Sequence, residues 1–236
     1  MYHDFAYQHI AIPFYANLQT DSLGLDSAEH CFVKSLFAQH EPVQYQFNSL
    51  GYRTHPVQNF ERNAILVLGD SFTLGLGTNT NKRYTEILEQ NLNHQVLNVS
   101  LNGASNDWIY RKLCQLMPLF EPRAVVLHYT FSHRRERPQS QWHDDERTEC
   151  EPMYSSGENF QNWADNFQKI SHVLNDVPTV HSWIPNWHDQ PVDYNTMGPN
   201  ILLPITQIDF ARDGFHYGPL THARLANQLT NLLVHV

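Results

Sequence analysis

Cysteine is scarce. The 236 residues hold three, Cys31, Cys114 and Cys150, far apart and with no C-x-x-C pair. That odd, scattered set excludes a disulfide framework and a zinc ribbon, and it fits a reduced compartment, so the chain is expected in the cytoplasm. Long apolar runs are absent as well. No stretch approaches the roughly 18 residues of a spanning helix, and Met1-Tyr2-His3-Asp4 does not open a secretory signal, so no membrane span or leader is expected. Basic residues are few, 15 Lys and Arg against 24 Asp and Glu, a formal charge of −9. That balance argues against nucleic acid as a partner. Gly75-Leu76-Gly77-Thr78-Asn79-Thr80 lacks the third glycine of a dinucleotide loop, and neither a Walker sequence nor G-x-S-x-G occurs. No cofactor is expected.

What is present is enough apolar material for a core, 41% of residues against 17% charged. Residues 1–60 are irregular and read as an N-terminal extension packed on a main domain of residues 61–236. A helix is expected over 27–38, and 45–53 reads as extended with a turn at Gly51. From residue 64 the pattern sharpens. The apolar run Ala64-Ile65-Leu66-Val67-Leu68 ends at a glycine, as a strand buried on both faces does. Further strands are expected at 96–101, 123–129 and 178–184. Apolar residues at helical spacing predict helices over 82–92, 105–120, 160–174 and 219–236, with Ser105 as a cap. The polar segment 133–157 is long for a connection and reads as a lid or substrate loop. Strands alternating with helices predict a three-layer α/β/α domain on a parallel sheet, whose ligands bind beyond the carboxyl ends of the strands.

Three segments belong there: Gly69-Asp70-Ser71-Phe72 after the first strand, Asn102-Gly103-Ala104-Ser105-Asn106 after the second, and Asp213-Gly214-Phe215-His216 before the last helix. Together they suggest nucleophilic catalysis. A serine hydroxyl becomes a useful nucleophile when a histidine takes its proton and a carboxylate orients that histidine. Asp213 also precedes a helix and reads as a possible cap.

These blocks, in this order, resemble the SGNH/GDSL hydrolases, a flavodoxin-like group of esterases, lipases, carbohydrate deacetylases and acyltransferases. Asn48-Ser49-Leu50-Gly51-Tyr52-Arg53 is similar to a lead-in of some bacterial members. The resemblance covers residues 61–236 and implies Ser71 as nucleophile, His216 as base, Asp213 as its partner, and the N–H groups of Ser71 and Gly103 as oxyanion donors. It implies a small-molecule, glycan or lipid ester as substrate. One block departs from the pattern. Where the family carries an asparagine after the third strand, this chain reads Leu127-His128-Tyr129-Thr130-Phe131-Ser132-His133-Arg134. Alignment sets Ser132 or His133 at that place, and Asn106 or Asn102 are further donors. Losing one oxyanion donor lowers kcat about 10²–10³-fold. The chain therefore reads as an ester hydrolase, with two alternatives: an impaired module of the same fold that binds a glycan or acylated ligand, or an O-acyltransferase. Arg134, Arg135, Glu136 and Arg137 read as a solvated mixed-charge loop, with a contact to a substrate carboxylate or sugar as the alternative. His181, Trp183, Trp187 and His188 read as core or cleft side chains, and a metal site between the two histidines is not expected.

Overall fold

The computed structural model describes residues 7–136, 149–150, 155–184 and 201–235. Arg137, Trp187, His188 and most of segment 133–157 lie outside the described residues. The first strands, β1 (Gln19–Thr20) and β2 (Tyr45–Gln46), form an antiparallel pair. Between them lies helix α1 (Lys34–Gln39), half the length expected. The shortening has a local cause. Ser27 Oγ accepts the N–H of His30, and the N–H of Phe32 donates to Asp213 O at 2.8 Å, which draws this stretch out of a helical path.

The main sheet holds β3 (Ile65–Gly69), β4 (Val96–Ser100), β5 (Val125–Tyr129), β8 (Thr179–Trp183) and β9 (Ile201–Pro204), all parallel, in the order β4-β3-β5-β8-β9. Its last strand was not evident from the sequence. Strands β6 (Arg134–Arg135) and β7 (Glu149–Cys150) form a short separate ribbon. The helices are α2 (Ser71–Leu74), α3 (Tyr84–Leu92), α4 (Asn106–Leu116), α5 (Ser156–Val173) and α6 (Pro219–Leu233).

Side chains of a strand alternate between faces, so a strand apolar at every position needs a covering layer on both sides. Leu66 and Leu68 of β3 meet Trp108, Ile109 and Leu113 of α4 and Trp163 and Ile170 of α5. Ile65 and Val67 meet Leu88 of α3 and Leu225 and Leu229 of α6 on the opposite face. The result is the three-layer α/β/α arrangement. Ile10, Ile12, Tyr15, Val43, Tyr45 and Phe47 are buried in the first of these clusters, so the chain before β3 shares the core of the sheet.

His128 and His222 are two of the buried imidazoles. Ser182 donates to Leu127 O, so His128 Nδ1–H donates to Ser182 Oγ and His128 Nε2 accepts from Tyr217. His222 Nδ1 accepts the N–H of Tyr84. Burial pushes His128 down to about 4 and His222 to about 3. The unfolded chain therefore binds more protons than the folded one between roughly pH 6.5 and 4. The hydrogen bond that His55 donates to the Glu89 carboxylate raises His55 and acts in the opposite sense, through one partly exposed ring. Stability is expected to fall with pH through that window, by at most about 2.7 kcal/mol per pH unit for two groups. Urea midpoints measured at about pH 7.5 and about pH 5 test this, and equal midpoints would contradict it.

Candidate active site

The strand order 2-1-3-4-5 reverses direction between β3 and β5, and the crevice beyond their carboxyl ends is where such sheets take ligands. Ser71 begins α2 directly after β3. Asp70 caps that turn by accepting the N–H of Phe72 at 3.0 Å. A helix of four residues cannot satisfy its own carbonyls. Arg53, only 2% exposed, does so: its guanidinium donates to the carbonyls of Leu74, Gly75 and Thr78 at 2.8–3.2 Å and to Gln44 at 3.3 Å. Arg83 donates to Leu74 O as well. Asn48 brings Arg53 there. Its Oδ1 accepts the N–H groups of Leu50 and Tyr52, and Gly51 takes φ +84° where a Cβ would strike Ile12 O.

The other half of the site is the loop before α6. Asp213 Oδ1 accepts the N–H groups of Phe215 and His216, and Oδ2 accepts from His216 Nδ1 at 2.5 Å. With the ring proton held on Nδ1, Nε2 accepts the hydroxyl of Ser71 at 2.8 Å. Burial pushes the Asp213 carboxyl up, but the hydrogen bonds from His216 and two backbone N–H groups outweigh it and hold the group below its ordinary value. Phe72 packs 4.6 Å from the imidazole and restricts its rotation. Asp213 does not cap α6. Asp209 does, accepting the N–H groups of Leu220 and Thr221.

Segment 21–32 braces this loop. Arg212 Nε donates to Asp26, Tyr45 donates to the same carboxylate, and the N–H of Gly77 donates to Tyr45. Gly24, Leu25 and His30 from this segment wall a cavity of about 430 Å³ that contains Ser71 and His216. Asn102 and Arg134 wall its other side. A neighbouring cavity of about 490 Å³ shares Gly24 and Asn102 and holds Gly103, where a Cβ would meet nothing within 4 Å.

The structure thus brings Ser71, His216 and Asp213 into one hydrogen-bonded series and sets Gly103 one residue from the cavity wall. Asn106 is committed elsewhere, exchanging two hydrogen bonds with the backbone of Thr130. Ser132 lies in the turn after β5, where its carbonyl accepts from Arg135. Arg134 is not in a solvated loop. Its Nη1 donates to the fully buried Asp70 at 2.8 Å and to Thr130 Oγ1 at 2.7 Å. His181 and Trp183 are buried in β8, with His181 bonded to Tyr129. Among the described residues, no group of three metal-ligating side chains occurs and no helix is long and apolar enough to cross a membrane.

No known family model and no curated protein matches the chain. Solved structures do match. One is a protein of the G-D-S-L family from Desulfitobacterium hafniense, 12% identical, with a TM-score of 0.52, over 72% of this chain and 99% of that one. Another is a carbohydrate esterase whose active site is described as displaying divergent catalytic and non-catalytic binding functions, 12% identical, TM-score 0.51, over 75% of this chain and 66% of that one. The fold is that of the SGNH/GDSL hydrolases.

Within this SGNH-type fold, the wall from segment 24–30 escaped the sequence reading, whereas Asn102, a candidate donor, and Arg134, read by preference in a solvated loop, both line the cavity. The brace is testable on its own. Removing one partner of a buried ion pair leaves the other uncompensated, so Asp26→Ala should lower stability by about 3–5 kcal/mol, and adding Arg212→Met should recover part of the loss. Urea unfolding of the single and double variants measures both.

Proposed function

We propose that the protein is a serine hydrolase acting on carboxylic esters. The observation that carries this reading is the unbroken series from the buried Asp213 through His216 to a serine hydroxyl on a cavity wall. Ser71 Oγ attacks the ester carbonyl while its proton passes to His216 Nε2, and Asp213 stabilises the imidazolium. The N–H groups of Ser71 and Gly103 receive the negative charge of the tetrahedral intermediate. Its collapse expels the alcohol, protonated by His216, and leaves an acyl-enzyme. Water, activated by the same imidazole, then releases the acid and restores Ser71. An alcohol in place of water would make the same site a transferase.

Neutral-pH labelling with a fluorophosphonate should give one adduct, on Ser71, and Ser71→Ala should abolish both labelling and ester turnover while remaining folded. Asp213→Asn should lower kcat by about 10⁴. Folded protein that takes no adduct and cleaves no ester would favour a binding module instead, the second function ascribed to the carbohydrate esterase of this fold.

A further inference from the structure

The chain carries a formal charge of −9, yet among the described residues no carboxylate lines the cavity around Ser71. Asp70 and Asp213 stand behind that wall, both fully buried. The polar groups that do face the cavity include the guanidinium of Arg134 and the imidazoles of His30 and His216. Arg134 is held rigidly. Its Nη1 donates to Asp70, Thr130 and Ala104 O, and the face of its guanidinium lies 4.8 Å from the ring of Phe131. All three of these hydrogen bonds leave from one nitrogen. Nε and Nη2 have no partner among the described residues, and neither is sealed from solvent. Its neighbour Arg135 differs, with Nη2 bonded to Asn159 Oδ1 and Glu158 O.

The Nε–Nη2 edge of arginine presents two parallel N–H donors that match a planar carboxylate. We infer that Arg134 makes the cavity beside Ser71 selective for esters bearing a free carboxylate, such as monoesters of short dicarboxylic acids. The inference deepens the hydrolase reading and rests on it for the word ester. The carboxylate site itself stands on Arg134 alone. Because Asp70 fixes Nη1 in place, the open edge is oriented before the ligand arrives, which reduces the entropy lost on binding. Arg134 makes the same contact before and during the reaction, so its contribution should appear in KM more than in kcat.

The test compares two esters of umbelliferone, the butyrate and the glutaric acid monoester, on the wild-type protein and on Arg134→Lys. Lysine keeps a cation for Asp70 but lacks the two-donor edge. The ratio of kcat/KM for the charged over the neutral ester is expected to be at least about tenfold higher in the wild type. An unchanged ratio in Arg134→Lys, or a wild type indifferent to the charge, overturns the proposal. Calorimetric titration of the wild type with glutarate and with glutaramide gives a second reading that needs neither turnover nor a folded variant. Glutarate should bind at least about tenfold more tightly, and equal affinities overturn the carboxylate site. Should Ser71 take no fluorophosphonate while glutarate still binds selectively, the hydrolase reading fails and the carboxylate site stands.

Discussion

The turn that carries Ser71 depends on a buried cation that no carboxylate among the described residues contacts directly. Arg53 reaches four backbone carbonyls and the hydroxyl of Thr80, and so supplies the donors that a single helical turn lacks. Burial and the neighbouring Arg83 push its guanidinium down to about 9, which still leaves it protonated at neutral pH. Carbonyl oxygens and the face of Tyr45, 4.5 Å away, take the place of a counter-ion. An unsatisfied buried carbonyl costs about 1–3 kcal/mol, so the conformation that sets Ser71 on the cavity wall would be unfavourable without this one side chain. The residue that holds Ser71 in place thus comes from the chain before the main sheet begins.

The same stretch acts on the opposite half of the site. Asp26 pairs with Arg212, next to Asp213, while Tyr45 joins that carboxylate to Gly77 beyond the Ser71 turn. Segments 71–77 and 211–216 are therefore fixed to a common brace as well as to each other through His216. This arrangement explains why residues 7–60 carry a full share of core aromatics despite having little regular structure. Their structure lies in side-chain bonds to loops that are distant in sequence, and periodicity does not report such bonds.

That distinction separates what could be read from the sequence from what could not. Four of the five main strands and the three-layer arrangement follow from apolar runs and helical spacing, because a parallel sheet leaves its pattern in each strand separately. The β9 strand, Ile201–Pro204, is short and sits at the sheet edge, where four residues ending in proline resemble a loop. The helix expected over 27–38 failed because tertiary bonds to Asp213 and a side-chain turn at Ser27 overrode local propensity. Ser71, Asp213 and His216 were legible because their chemistry is compressed into two short motifs. Arg134 was legible only as one member of a charge cluster that could meet a substrate, since a run of charges after a strand gives no sign of which one turns inward.

Arg134 and Asp70 are written sixty-four positions apart but form one unit. Asp70 is fully buried beside Ser71, and its Oδ2 accepts from Thr130 and from Arg134. A buried carboxylate without a cation would be unfavourable by several kcal/mol. The departure from the family pattern after β5 is therefore coupled to the aspartate of the Gly-Asp-Ser block. Thr130, whose backbone is clamped by both ends of the Asn106 amide, carries the hydroxyl that bridges the two charges. Restoring an asparagine in the 132–134 stretch would thus have two effects, adding an amide donor near the site and, at position 134, stranding the charge on Asp70. The sequence after β5 sets a fixed arginine between the buried Asp70 and the cavity, so a change there alters the pairing of that carboxylate as well as the hydrogen bonding of the cavity wall.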